Sequence, residues 1–83
     1  MLHKMNIIEK IEANKQQILP ELYEWAETFD WKLDEDGERT LEPYNYVFRL
    51  AERLDKNICN KKDYEDILFQ IGQINYNEPR IKL

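Results

Sequence analysis

The sequence predicts an all-α protein, a small bundle of three or four helices, with a short β-hairpin around residues 31–41 as an allowed variant. Three observations favour this class. The 83 residues include only 2 Gly and 3 Pro, whereas a sheet of this size needs many turn residues. Hydrophobic residues make up 42% of the chain and charged residues 35%, a balance typical of a folded domain. Apolar residues recur at helical spacing in four stretches.

A chain of this length supports one hydrophobic core, and it buries only about 60% of the surface that its unfolded form exposes. We therefore expect a single domain over residues 1–83, with residues 1–5 and 76–83 poorly ordered. Because the net stability of so small a domain is marginal, we expect it to depend on well-packed helices, helix caps or self-association.

The first helix is predicted over about residues 6–18. Asn6 and Glu9 resemble a capping box, and isoleucines follow at roughly helical spacing until Pro20 interrupts the pattern. Pro20 suits the first position of a second helix, where a missing amide hydrogen has no consequence. The apolar face of this second helix contains Leu22, Trp25, Ala26, Phe29 and Leu33.

The end of the second helix is open to two interpretations. Helical spacing continues as far as Leu33, with Gly37 as a left-handed cap. In the other interpretation, Phe29, Trp31 and Leu33 alternate with polar residues, and Asp36 with Gly37 forms the turn of a short hairpin. The choice decides where Trp31 points, because a helix would turn it to solvent and a strand would turn it into the core.

The third helix has the clearest pattern. Thr40, Glu42 and Pro43 are typical of a helix start. The apolar face that follows contains Val47, Leu50, Ala51, Leu54 and Ile58. We expect this helix to be the central element of the bundle.

A fourth helix is predicted over residues 61–72. Asn60 and Asp63 have the spacing of an N-terminal cap, and Gly72 lies near the predicted end. The apolar face contains Tyr64, Ile67, Leu68 and Ile71, with Ile74 as a further candidate.

Negative charge is concentrated in one segment. The chain has a net charge of −5, but residues 21–42 contain 9 acids and 2 bases while the remainder contains 8 acids and 10 bases. A large aromatic side chain surrounded by carboxylates suits an interface anchor, because the indole offers contact area and the acids attract a basic partner. The predicted partner-binding residues are Glu24, Glu27, Trp31, Asp34, Glu35 and Asp36.

The sequence contains no recognisable catalytic, metal or cofactor motif. The single histidine, His3, and the single cysteine, Cys59, are too far apart for a zinc motif. The acidic run before Gly37 fails as a calcium loop, since Lys32 and Pro43 fall at the first and last ligand positions. No glycine-rich phosphate loop is present. We therefore expect no catalytic residue, no metal, no cofactor and no enzymatic activity.

The chain has one cysteine, Cys59. A lone cysteine cannot form an intramolecular disulfide and no secretory signal opens the chain, which indicates the cytoplasm. No apolar run approaches the ~20 residues that span a bilayer. The abundance of Ile, Asn and Lys suits a bacterium or phage of low GC content.

The side chain of Cys59 has two interpretations. Lys61 and Lys62 could lower the pKa of its thiol and make it reactive. The favoured interpretation is that Cys59 is a small, buried apolar residue.

Two hypotheses for function follow from this surface. The first is a non-catalytic protein-binding module, of the inhibitor, immunity, antitoxin or phage counter-defence type, that docks its acidic face on the basic surface of a partner such as a nucleic-acid-binding protein or nuclease. Direct binding of nucleic acid is disfavoured by the negative net charge, and no membrane partner is expected. The alternative is a structural or assembly subunit, a helical homo-oligomer in which the acidic segment meets a basic stripe formed by Arg49, Arg53 and Lys56.

Overall fold

The computed structural model describes residues 6–29, 32–33, 39–40 and 42–83. These residues form a small all-α bundle, as the sequence predicts. The four helices are α1 (Ile7–Ala13), α2 (Lys15–Glu27), α3 (Glu42–Asp55) and α4 (Lys61–Asn77), and two short strands, β1 (Lys32–Leu33) and β2 (Arg39–Thr40), lie between α2 and α3.

The first helical stretch breaks at Asn14 and not at Pro20, so the predicted boundary between the first two helices is wrong. The Asn14 amide donates to the carbonyls of Lys10 and Ile11, and its side chain donates a 2.8 Å hydrogen bond to the Lys10 carbonyl, which ends α1. Pro20 lies inside α2. Proline has no amide hydrogen, so the Gln16 carbonyl lacks its usual helical donor. Pro20 is tolerated because both residues lie on the solvent side of the helix.

The second helix ends at Glu27, so the interpretation that continues it to Leu33 is wrong. The Thr28 hydroxyl donates a 2.6 Å hydrogen bond to the Trp25 carbonyl, and the Phe29 amide donates to the Ala26 carbonyl. These bonds satisfy carbonyls that have no helical partner at the end of α2. The strands β1 and β2 then pair antiparallel, with Lys32 opposite Thr40. The orientation of Trp31 lies outside the described residues.

A left-handed residue, Asn57, ends α3. Its φ of 60° is the conformation of a C-terminal cap. The Ile58 amide donates to the Arg53 carbonyl and the Asn57 amide to the Leu54 carbonyl, which is the pattern of a Schellman motif. Ile58 therefore lies beyond the helix and is 62% exposed, so its predicted place on the apolar face of the third helix is wrong.

The last helix, α4, begins with the predicted cap and extends past its predicted end. Asn60 and Asp63 form a reciprocal capping box. The helix continues through Gly72 to Asn77, since one glycine weakens a helix by about 1 kcal/mol without ending it. Leu68 was predicted on the apolar face, but it lies on the outside of α4.

The core lies between α2, α3 and α4, and the contact between α2 and α3 is the most extensive. Every helix contributes at least one buried side chain, and so does the segment after α4. The buried apolar residues are Ile11, Ile18, Leu22, Ala26, Val47, Leu50, Ala51, Leu54, Ile67, Ile71, Ile74 and Ile81.

The segment after α4 folds back onto the bundle. The Asn75 side-chain oxygen accepts hydrogen bonds from the amides of Arg80 and Ile81, and its side-chain nitrogen donates to the Ile81 carbonyl. Ile81 is only 4% exposed and belongs to the core. These contacts fix the backbone at Arg80 and Ile81, and they place the Arg80 side chain beside α2.

Candidate partner-binding surface

The acidic face of α2, formed by Glu21, Glu24 and Glu27, follows from the helical repeat. At 100° per residue, Glu24 and Glu27 fall opposite the buried residues Leu22 and Ala26. Both glutamates are exposed, and Glu21 lies at the side of the helix and is half-buried. The same periodicity that builds the core thus directs these carboxylates to solvent.

Arg80 lies against this face. Its guanidinium is 3.3 Å from Glu24 Oε1, 3.6 Å from Glu21 Oε2 and 3.0 Å from Glu78 Oε2. Hydrogen bonds from the guanidinium to the carboxylates of Glu78 and Glu24 raise the pKa of Arg80. Three carboxylates around one guanidinium leave the local charge negative, so the acidic face keeps an excess of negative charge.

A groove of about 230 Å³ lies between α2 and the segment after α4. It combines an apolar surface with charged side chains. The indole Nε1 of Trp25 donates a 2.8 Å hydrogen bond to Gln70 Oε1, and its ring packs edge-on against Phe29. Both contacts fix the orientation of the indole. The groove is lined by Glu21, Glu24, Trp25, Thr28, Ile74, Asn77, Glu78 and Arg80.

Of the six predicted partner-binding residues, the structure describes Glu24 and Glu27, which lie one turn apart on the acidic face of α2. The other four, Trp31, Asp34, Glu35 and Asp36, lie outside the described residues. Glu24 is engaged by Arg80 within the same chain.

Sequence analysis did not identify Arg80, Glu78 or Trp25 as part of this surface. Trp25 was predicted on the apolar face of the second helix, and Glu78 and Arg80 lie in residues 76–83, which were predicted to be poorly ordered. The only sequence signal was the apolar Ile81 next to Arg80, which suggests that this segment could pack on the core. The contact between Arg80 and Glu24 spans 56 positions, a distance over which no local pattern operates.

The basic stripe on α3 is partly used inside the molecule. Arg53 Nε lies 3.1 Å from Asp63 Oδ2 and joins α3 to the first turn of α4. This contact is an ion pair without the alignment of a hydrogen bond. Lys56, just after the end of α3, lies 4.0 Å from Glu52 of that helix, and Arg49 is exposed. The stripe therefore offers less free positive charge than the sequence suggests.

Burial raises the pKa of the Cys59 thiol, with a further contribution from the charge of Asp63. The interpretation in which lysines lower this pKa is therefore wrong, and Cys59 packs against the core as a half-buried side chain. Among the described residues, no group of three or more His, Cys, Asp or Glu is arranged to hold a metal ion. None of the described helices has the length and apolar character needed to cross a membrane.

Comparisons of the chain with models of protein families, with characterised proteins and with solved structures find no match.

Proposed function

We propose that the protein is a non-catalytic protein-binding module of the inhibitor, immunity, antitoxin or phage counter-defence type, which docks the acidic face of α2 on a basic surface of a partner protein. The observation that carries this proposal is the division of α2 into two faces. Leu22 and Ala26 are fully buried, whereas Glu24 and Glu27 are exposed on the opposite side.

Charge complementarity supports a basic partner. Residues 21–42 hold an excess of seven negative charges, counted from the sequence. A field of one sign attracts an oppositely charged surface and raises the rate of association, most strongly at low salt. Arg80 is the one cation within ion-pair distance of Glu21 or Glu24 among the described residues.

The groove supports a defined mode of contact for a lysine or arginine of the partner. A long basic side chain can lay its methylene groups on apolar surface while its charge stays in water. Trp25 and Ile74 offer such a surface, and Glu24, whose side chain is 64% exposed, offers a carboxylate at its edge. The fixed indole of Trp25 also attracts a cation placed over its ring.

The test is affinity capture from the native host with three baits. The first bait is the wild type and the second is Glu24→Lys with Glu27→Lys. The third is a control, Glu52→Lys with Asp55→Lys, which changes the net charge by the same amount on α3. Because the reversal removes the attraction at the docking surface, we expect one protein with a basic surface to be retained by the wild type and the control only, and to elute as salt is raised.

Circular dichroism on all three baits checks that the fold survives. A second variant, Glu27→Lys alone, leaves the contact between Glu24 and Arg80 intact, so loss of capture by this variant cannot be attributed to displacement of the segment after α4. Equal retention by the wild type and the double reversal would contradict the proposal, as would equal loss by the control.

A further inference from the structure

The outer face of α4 carries large apolar side chains that the bundle leaves uncovered. Phe69 is 63% exposed, Tyr76 88% and Leu68 39%. Together with Gly72 and Gln73 they lie within about 140° of the helix circumference, on the side away from Ile67, Ile71 and Ile74. These five residues, Leu68, Phe69, Gly72, Gln73 and Tyr76, are called the outer face of α4.

No charge lies within this part of α4. Residues 67–77 contain no Asp, Glu, Lys, Arg or His, in a chain of which 35% is charged. An exposed face of this kind resembles the uncharged, aromatic centre of a protein interface. The outer face of α4 offers no electrostatic attraction to a strongly charged partner. Two copies of this chain, each with a net charge of −5, would repel one another least at an uncharged face.

Gly72 lies at the middle of the face and has open space around it. A methyl group placed on its α-carbon would meet no atom within 4 Å in the monomer. No contact inside the chain therefore requires a glycine here, although glycine weakens a helix by about 1 kcal/mol relative to alanine. A glycine at the crossing point of two helices allows their backbones to approach closely.

We propose that the outer face of α4 is the surface on which a second copy of this chain packs, with the two α4 helices antiparallel about a twofold axis near Gly72. In this arrangement Leu68 of each copy lies opposite Tyr76 of the other, because both are four residues from Gly72. A twofold pairing of one patch with itself is the commonest form of a homodimer.

The charged residues of α4 lie in its first two turns, and Glu78 follows its last residue. Lys61 and Lys62 are exposed at its N-terminal end, and the Lys62 side chain is 79% exposed. Glu78, whose side chain is 67% exposed, follows its C-terminal end. Antiparallel packing places the opposite ends of the two helix dipoles side by side. The axis near Gly72 sets Glu78 of one copy opposite Asp66 of the other, because both are six residues from Gly72, so the charged side chains at the ends add no attraction and the contact depends on the apolar face.

The area of the face indicates a reversible dimer. An aromatic side chain presents about 150–250 Å² when fully exposed. With the exposures of Phe69, Tyr76 and Leu68, each copy offers about 400 Å² of apolar surface, or about 800 Å² for the pair. This area is below the ~1,200 Å² of most specific interfaces, so we expect a weak, reversible dimer with a dissociation constant above about 1 µM.

Sedimentation equilibrium over about 1 µM to 1 mM protein measures the dimer directly. We expect a monomer–dimer equilibrium for the wild type. Phe69→Gln with Tyr76→Gln should raise the dissociation constant at least about tenfold, because these side chains supply most of the apolar contact. The control is Ile58→Gln, which removes an apolar side chain of similar exposure outside α4 and should leave the equilibrium unchanged.

Gly72→Gln distinguishes an interface from an ordinary helix position. In dilute monomer it should raise the unfolding temperature, because glutamine favours a helix more than glycine does and has free space around it. At high concentration it should weaken the dimer, because its side chain separates the two helices. A higher unfolding temperature with an unchanged dissociation constant would overturn the proposal.

Salt separates this proposal from the function proposed above, on which it does not depend. Apolar contact should persist when salt is raised, whereas docking on the acidic face of α2 should weaken. A wild-type chain that stays monomeric throughout the concentration range would overturn the proposal and would leave the outer face of α4 to a different protein. A dimer that dissociates at high salt would overturn it in favour of contact between acidic and basic faces.

Discussion

The acidic face of α2 and the outer face of α4 are two exposed surfaces built in different ways on the same kind of helix. Both helices bury one side in the common core, α2 through Leu22 and α4 through Ile67. On its solvent side α2 carries carboxylates, whereas α4 carries Phe69 and Tyr76 within residues 67–77, a stretch that contains no charged residue. The core thus constrains only the inner side of each helix, and the outer side is free to define how the molecule associates.

The two surfaces differ in the force that would hold a partner on them. Attraction by the acidic face of α2 acts over about 10 Å and is screened by salt. Packing on the outer face of α4 requires contact and excludes water, so it has little dependence on salt. A molecule with both surfaces can bind a basic partner through one and a second copy through the other, since Glu27 and Phe69 lie on the outer sides of different helices.

The largest expected effect comes from breaking the inner side of a helix. Leu22→Ala should lower the free energy of unfolding by about 2–5 kcal/mol, because Leu22 is fully buried and its removal leaves a cavity in the core. Tyr76→Ala is the matched change on an outer side and should alter stability by no more than about 0.5 kcal/mol in dilute solution. Urea denaturation of both variants provides the measurement. Similar losses for the two would contradict the division into an inner and an outer side.

The buried sides of the helices were largely predictable from the sequence, because buried residues recur along a helix at a regular spacing. The apolar faces of the last two helices are confirmed except at Ile58 and Leu68, and the caps at Asn6 and Asn60 are confirmed as well. The helix boundary at Asn14 was missed, because a side chain that caps its own helix resembles an ordinary polar residue in the sequence.

The contacts around the acidic face of α2 were less predictable than the core. Arg80 reaches Glu24 because the burial of Ile81 and the hydrogen bonds that Asn75 accepts from the Arg80 and Ile81 amides fix the backbone of this segment. That arrangement depends on the tertiary fold and has no local pattern. The exposure of Phe69 was open to prediction from the helical repeat of residues 61–72, whereas that of Tyr76 was open to prediction only once the helix was known to continue past Gly72.

A smaller effect is expected at the first turns of α4, where its inner side is tied to α1. The Tyr64 hydroxyl donates a 2.5 Å hydrogen bond to Glu12 Oε1. This bond, with burial as a second cause, raises the pKa of Tyr64 from its ordinary value of 10.0 to about 12. The bond therefore stabilises the fold fully below pH 10 and is lost as the pH rises through about 12.

Tyr64→Phe should lower the free energy of unfolding by about 1 kcal/mol at neutral pH. The difference between wild type and variant should shrink as the pH rises from 10.0 towards about 12. Chemical denaturation over this range measures it, and comparison with the variant removes the contribution of the other tyrosines. A difference that stays constant over the range would show that Glu12 does not bind the protonated hydroxyl.

The smallest effect on stability is expected for Arg80→Gln. This change should nevertheless alter the binding of a basic partner to the acidic face of α2. Exposed ion pairs contribute little to stability because water and salt screen them. The hydrogen bonds that Asn75 accepts from the amides of Arg80 and Ile81, together with the burial of Ile81, hold the backbone without the guanidinium. The change removes the cation next to Glu21 and Glu24. A basic partner captured by the wild type should therefore elute from this variant only at higher salt.

Lys62→Gln is the matched control, because it changes the net charge by the same amount from an exposed position on α4, beside Asp66. If attraction is local to the acidic face of α2, Lys62→Gln should leave the elution of the partner unchanged, since charges separated by more than about 10 Å are largely screened at 0.1 M salt. If both variants shift elution equally, the partner responds to the net charge of the whole molecule, and the acidic face of α2 is not the docking surface.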